Sequence, residues 1–218
     1  MTSEAARYTL HFSPGSCSLA IDCLLEELGV PFELKRVDLA AKEHHGEAYR
    51  RINPKGKVPA LATPDGVLTE CVAIIEYLCE RHDPAHRMLG APGSWKRTRV
   101  RERIATLATE VHPLFNRFFH EDDFAEDAAA RAAVKAHGTQ KLLDYFRGED
   151  AHLTGPWWSG EELTAADIYF MVMARWGRWL TPSANEMRNI RPFYERMIDR
   201  PAVARAFQRE GIKAFGTR

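Results

Sequence analysis

The rhythm of hydrophobic and polar positions changes part-way along the chain. Near the start, "RYTLHF" has strand character, and Leu19, Ala20, Cys23, Leu24 and Leu28 then recur at helical spacing, with Gly29 placed to end that helix. "PFELKRVDL" sets Phe32, Leu34 and, after a slip of phase, Val37 against charged neighbours, which predicts a second strand. The polar stretch "AAKEHHGEAYRRINPKG" predicts a short helix broken at Gly46 and finished before Pro54. "KVPALAT" and "VLTE" read as strands separated by Pro64-Asp65-Gly66, close enough to form an antiparallel hairpin. Val72, Ile75, Leu78 and Cys79 mark an amphipathic helix ending near His82. The order βαβαββα predicts a small α/β domain with a mixed sheet over residues 1–82.

"HDPAHRMLGAPGS" carries proline and glycine and reads as a linker, assigned to residues 83–93. Beyond it Ile104, Leu107, Ala108, Val111, Leu114, Phe115 and Phe118 repeat every three or four positions. Helical patterns return at 127–147, 164–179 and 190–210, so residues 94–218 are expected to form an all-helical domain. Thr164 with Asp167 resembles a capping box, and Leu163 and Ile168 are placed as its hydrophobic staple.

Composition narrows the possibilities. The 218 residues are 45% hydrophobic and 28% charged, as in ordinary globular proteins, and 30 basic residues balance 30 acidic ones. No net field therefore draws the protein to nucleic acid or to an anionic membrane, and the basic run "KRTRVRER" reads as a solvated helix start. No apolar run is long enough to span a bilayer, and "MTSEAARYTL" lacks a basic-then-apolar signal, so a cytoplasmic location is expected. Cys17, Cys23, Cys71 and Cys79 do not make a disulfide framework or a zinc site, and His82 and His86 flank a helix-breaking Asp83-Pro84. No metal is expected.

Candidate chemistry gathers in the first half. Cys17 follows Pro14-Gly15 at a helix start, where unpartnered amides and the macrodipole favour a thiolate; the other reading is a small buried hydrophobe. The stretch Cys17-Ser18-Leu19-Ala20 lacks the second cysteine of C-x-x-C, so chemistry at Cys17 needs an external thiol or a substrate that leaves without one. Cys23 and Cys79 fall on apolar faces. Val58-Pro59 precedes a strand, and base statistics for such bonds favour trans. Glu70 and Cys71 open the next helix, where amides could hold a carboxylate; Glu70 could equally be a charge well placed on the dipole.

Together "SPGSCSLA", "INPKGKVPAL", "LTECVAIIEYL" and "LTAADIYF" resemble the cytosolic glutathione S-transferase superfamily, closest to its bacterial beta class, in the family's order and over nearly the whole chain. The resemblance implies a thioredoxin-like N-terminal domain, an all-helical C-terminal domain and a homodimer. It implies that Cys17 faces the glutathione sulfur and can form a mixed disulfide with it. Val58 would pair through its backbone with the cysteinyl part, Pro59 would be the family's cis-proline, and Glu70 with Cys71 would bind the γ-glutamyl end. Lys42 would contact the glycyl carboxylate, and His112 would reach toward the thiol from the helical domain. Three positions depart from the pattern: Phe12 stands where a tyrosine is common, Cys71 where serine or glycine is usual, and Pro113 where a basic residue is common. The implied activity is transfer of glutathione to a small apolar electrophile or a disulfide-type acceptor. Alternatives are thiol transfer through a Cys17 mixed disulfide, and a non-catalytic ligand-binding or regulatory protein of the same fold.

Overall fold

A computed structural model of the chain describes residues 8–213. It divides into two compact units, one built from the residues up to Ala91 together with those from Ile198 onward, the other from Pro92–Met197.

In the first unit β1 (Tyr8–Phe12), α1 (Ser18–Leu28), β2 (Phe32–Arg36), α2 (Glu47–Arg50), β3 (Ala60–Thr63), β4 (Gly66–Thr69) and α3 (Cys71–His82) follow the predicted order. The sheet runs β2-β1-β3-β4, with β1 parallel to β2 and the other neighbours antiparallel. Chain length between strands explains the mixture: a helical crossover joins β1 to β2, whereas a tight turn joins β3 to β4. Leu10 lies opposite Leu34 on one side and Leu61 on the other, and Leu10 and Leu61 are fully buried. The slip of phase at Val37 is the end of β2: Val37 lies past the strand, buried, and its amide donates to Phe12 O at 2.7 Å. Gly29 ends α1 with φ 66°, and the Val30 amide reaches back to Leu25 O.

α1 is buried from Ser18 to Leu25 because a further helix packs on it. That helix is α9 (Pro201–Glu210), which sequence periodicity had grouped with the helical domain. The pattern expected at 190–210 is two helices, α8 (Ile190–Ile198) and α9, separated where Pro201 takes the first helical turn. Charge directs α9 to α1. Arg200 grips Glu27 through two bonds of 2.5 and 2.8 Å, Arg205 and Arg209 each reach Glu26 at 2.6 Å, and Arg209 also pairs with Asp22.

The second unit holds α4 (Trp95–Thr106), α5 (His112–Phe119), α6 (Ala128–His152), α7 (Ala165–Trp176) and most of α8. Ile104, Leu107, Val111 and Phe115 of the expected stripe are buried. Ahead of Pro113 the chain widens into a π turn over Leu107–Val111, with the His112 amide donating to Leu107 O, directly ahead of the residue that has no amide to give. α7 is buried over Ala165–Arg175, apolar around nearly its whole circumference, and so forms the centre of the unit. Its start is fixed by Asp167, whose carboxylate accepts from the Thr164 amide and hydroxyl, both at 2.8 Å, and from the Ser159 amide at 2.9 Å. Among the described residues no helix is long and apolar enough to cross a membrane, and no group of three or more His, Cys, Asp or Glu could hold a metal.

Candidate active site

The turn from β1 into α1 is held by its own serines. Ser18 Oγ takes the Ser13 amide and donates to Ser13 O, both at 3.2 Å, and the Ser16 hydroxyl lies 2.7 Å from Ser18 Oγ. Gly15, at φ 69°, gives its amide to Glu210 Oε2 of α9 at 2.7 Å. The amides of Ser16, Ser18, Leu19 and Ala20 are likewise bonded, to Ser13 O, Ser16 Oγ, Ser16 O and Cys17 O. The sequence reading left several amides unpartnered at this helix start; the loop's serines and a carboxylate from the far end of the chain take them. Cys17 occupies the cap position with an already helical backbone, is 6% exposed, and points its Sγ at Val58 O, 3.5 Å away.

Val58 is presented by a loop made rigid at Lys57, whose carbonyl accepts from Tyr49 Oη at 2.7 Å and Asn53 Nδ2 at 2.6 Å. Burial pushes the Tyr49 phenol up to about 12, so it stays protonated and donates. Gly56 sits at φ 61°, where a Cβ would come within 2.8 Å of His44 O; no other residue fits there. The Val58-Pro59 peptide is cis, as the resemblance implies and against the trans expectation from base statistics. The trans preference before proline is only about 0.5–1 kcal/mol, a margin that a fixed loop can override.

The third wall is the start of α3. Glu70 has φ 71° and ψ 122°, unusual for a side chain larger than glycine, and no side chain caps the helix. Its Oε1 accepts from Lys55 Nζ at 2.7 Å, and the same ammonium reaches Thr69 Oγ1 at 3.2 Å. Both partners are more than half exposed, so the pair contributes little stability; it fixes where the carboxylate points. Cys71, buried in the first turn, directs its Sγ to Cys17 O at 3.7 Å.

Four of the seven expected site residues thus meet: Cys17, Val58, Pro59 and Cys71, with Glu70 next in the chain. Lys42 stands apart on the surface at φ 57°, ahead of a single 3-10 turn, with no hydrogen bond or ion pair to the others among the described residues. His112 belongs to the helical unit, where its ring packs edge-on against Trp176 at 5.1 Å and its Nδ1 lies 3.4 Å from the Tyr169 hydroxyl. Lys55 escaped the sequence reading although it lies inside "NPKGKVP"; only the fold brings it to Glu70. A cavity of about 420 Å³ in the helical unit, bordered by Lys96, Arg99, Arg103 and Glu162, contains none of these residues. Lys96 and Arg99 on its walls are paired with Glu162 and Glu102.

Comparison with known proteins addresses both units. Residues 7–80 match the glutathione S-transferase N-terminal domain and residues 104–201 the C-terminal domain. The chain is 36% identical over 208 residues to glutathione S-transferase GstA of Escherichia coli O157:H7, covering 94% of this chain and 99% of that protein. The structure of a sphingomonad glutathione S-transferase complexed with glutathione superposes with a TM-score of 0.82 at 31% identity, over 94% of this chain and all of the other. A bacterial beta class glutathione S-transferase from Sphingomonas chungbukensis gives 0.81 at 30% identity, with coverage of 94% and 100%. The motifs that converge around Cys17 and the helical unit that follows them are accounted for by one ancestry, and this chain belongs to the glutathione S-transferase family, a family of transferases.

Proposed function

We propose that the protein is a beta-class glutathione transferase whose first unit binds glutathione beside Cys17 and stabilises its thiolate for attack on a small apolar electrophile. The observation that carries this is the convergence of Cys17 Sγ on Val58 O, next to a cis-proline, from positions 41 residues apart. The relatives crystallised with glutathione support the ligand.

Glutathione would lie as an extended peptide along the Val58 backbone, its γ-glutamyl end at the uncapped start of α3, where Glu70 and the first-turn amides offer a carboxylate and donors. Lys55 would hold Glu70 in place, and Lys42 would meet the glycyl carboxylate. His112 is the proposed contribution of the helical unit. A homodimer is proposed from the family, and a reducing cytoplasmic setting agrees with four cysteines none of which forms a disulfide. The role would be detoxification of electrophiles.

Retention on immobilised glutathione tests the reading. The protein is expected to bind and to elute with free glutathione, and Glu70→Ala is expected to pass through the column. Equal retention of both would overturn the assignment of the γ-glutamyl end. Cys17→Ala separates roles: conjugation of an aromatic halide untouched by the change means that Cys17 does not activate the thiol.

A further inference from the structure

A thiol that carries glutathione as a mixed disulfide needs a second thiol to release it, and the position that supplies one in C-x-x-C is Ala20 here. The three remaining cysteines are not equivalent candidates. Cys23 is wholly buried, and burial, reinforced by Asp22, Glu210 and Glu27, pushes its thiol pKa well up, so it is not a nucleophile. Cys79 lies eight residues beyond Cys71 on α3, roughly 12 Å along the helix axis. Cys71 Sγ already touches Cys17, at 3.7 Å from its carbonyl oxygen. The contact joins the first turns of α1 and α3, elements 54 positions apart in sequence. It also stands at one of the positions where this chain departs from the pattern it resembles, with sulfur in place of a hydroxyl or a hydrogen.

We propose that Cys71 is the resolving thiol for Cys17, so that the reduced protein, in addition to acting as a transferase, reduces one glutathione disulfide for each Cys17–Cys71 pair that it oxidises. The proposal rests on the reading that Cys17 meets the glutathione sulfur. In the first step the Cys17 thiolate attacks a sulfur of glutathione disulfide: the Cys17–glutathione S–S bond forms, the original S–S bond breaks, and one glutathione thiolate leaves and takes up a proton. In the second, the Cys71 thiol loses its proton to solvent and attacks Cys17 Sγ, forming the Cys17–Cys71 bond and expelling the second glutathione as its thiolate, which is protonated in turn. Two protein thiols have then been oxidised and one glutathione disulfide reduced to two glutathiones. Closing the bond turns the two sulfurs away from their present partners, Val58 O and Cys17 O, and toward each other.

The test uses the full-length reduced protein mixed with glutathione disulfide, quenched in acid at intervals, alkylated and analysed by intact mass and peptide mapping. Wild type is expected to show a short-lived glutathione adduct on Cys17 that gives way to a disulfide linking the peptides of Cys17 and Cys71. In Cys71→Ser and Cys71→Ala the adduct is expected to persist, its lifetime longer by about tenfold or more because the neighbouring nucleophile is gone. An adduct on Cys17 equally persistent in wild type and both variants would overturn the resolving role and leave the glutathione site intact. No adduct on Cys17 in any of the three proteins would overturn both the role and the reading beneath it.

Discussion

α3 and α7 are each twelve residues long and begin in opposite ways. The start of α7 is closed: one buried carboxylate takes the Thr164 amide, the Thr164 hydroxyl and the Ser159 amide. That of α3 is left without a side-chain cap, behind a glutamate held at positive φ. Elsewhere in the helical unit Ser94 caps α4 and Asp127 caps α6. Closed starts hold a unit together, and an open one keeps donors available to a guest at some cost in stability.

The strongest way to break the comparison is at α7. Asp167→Ala removes the acceptor of two buried Thr164 donors and of the part-buried Ser159 amide, and is expected to lower stability by about 3 kcal/mol, read as a shift of the urea midpoint. A loss no larger than that of an exposed substitution would mean that the closed start does not organise the unit.

The next effect separates two buried carboxylates. Asp22 has one guanidinium partner, Arg209, while its Oδ2 is buried with no partner, and desolvation raises its pKa from 3.8 to about 6. The folded protein then holds a proton that the unfolded chain has lost, so this group's contribution falls as pH rises from about 4 to about 6. The difference across that window is expected to be about 2 kcal/mol. Asp22→Asn should flatten that part of the stability–pH curve measured by denaturant titration; an unchanged slope would rule the group out.

Glu70→Gly sharpens the comparison from the other side. It relieves a positive φ and is expected to raise stability by about 1 kcal/mol while abolishing retention on immobilised glutathione. A variant that is stabilised and still binds would show that the strained glutamate serves no ligand. The smallest effect is at α4, where Ser94→Ala removes the oxygen that accepts the Arg97 amide at 3.1 Å and should cost about 1 kcal/mol in the same denaturation assay.

What could be read from the sequence was local. Gly29 as a helix stop, the hairpin turn at Pro64-Asp65-Gly66, the box at Thr164 and Asp167, and the βαβαββα order all depend on neighbours within a few positions. The resemblance supplied the cis bond at Pro59, which base statistics alone would have reversed. What escaped depends on distant partners. Lys55 becomes meaningful only when the fold sets it beside Glu70, and the Gly15 amide ahead of α1 is satisfied by Glu210, 195 residues away. α9 has the periodicity of any amphipathic helix; only the matching of Arg200, Arg205 and Arg209 to Asp22, Glu26 and Glu27 assigns it to α1.

That last pairing bears on how the protein is made. A ribosome delivers the strands and α1 well before the helix that covers α1 and secures the Gly15 turn, since Glu210 follows Gly15 by 195 residues. The thioredoxin-like half must therefore wait, with an apolar flank uncovered, until α9 has emerged, and a nascent chain halted before Pro201 would be a natural client for chaperones.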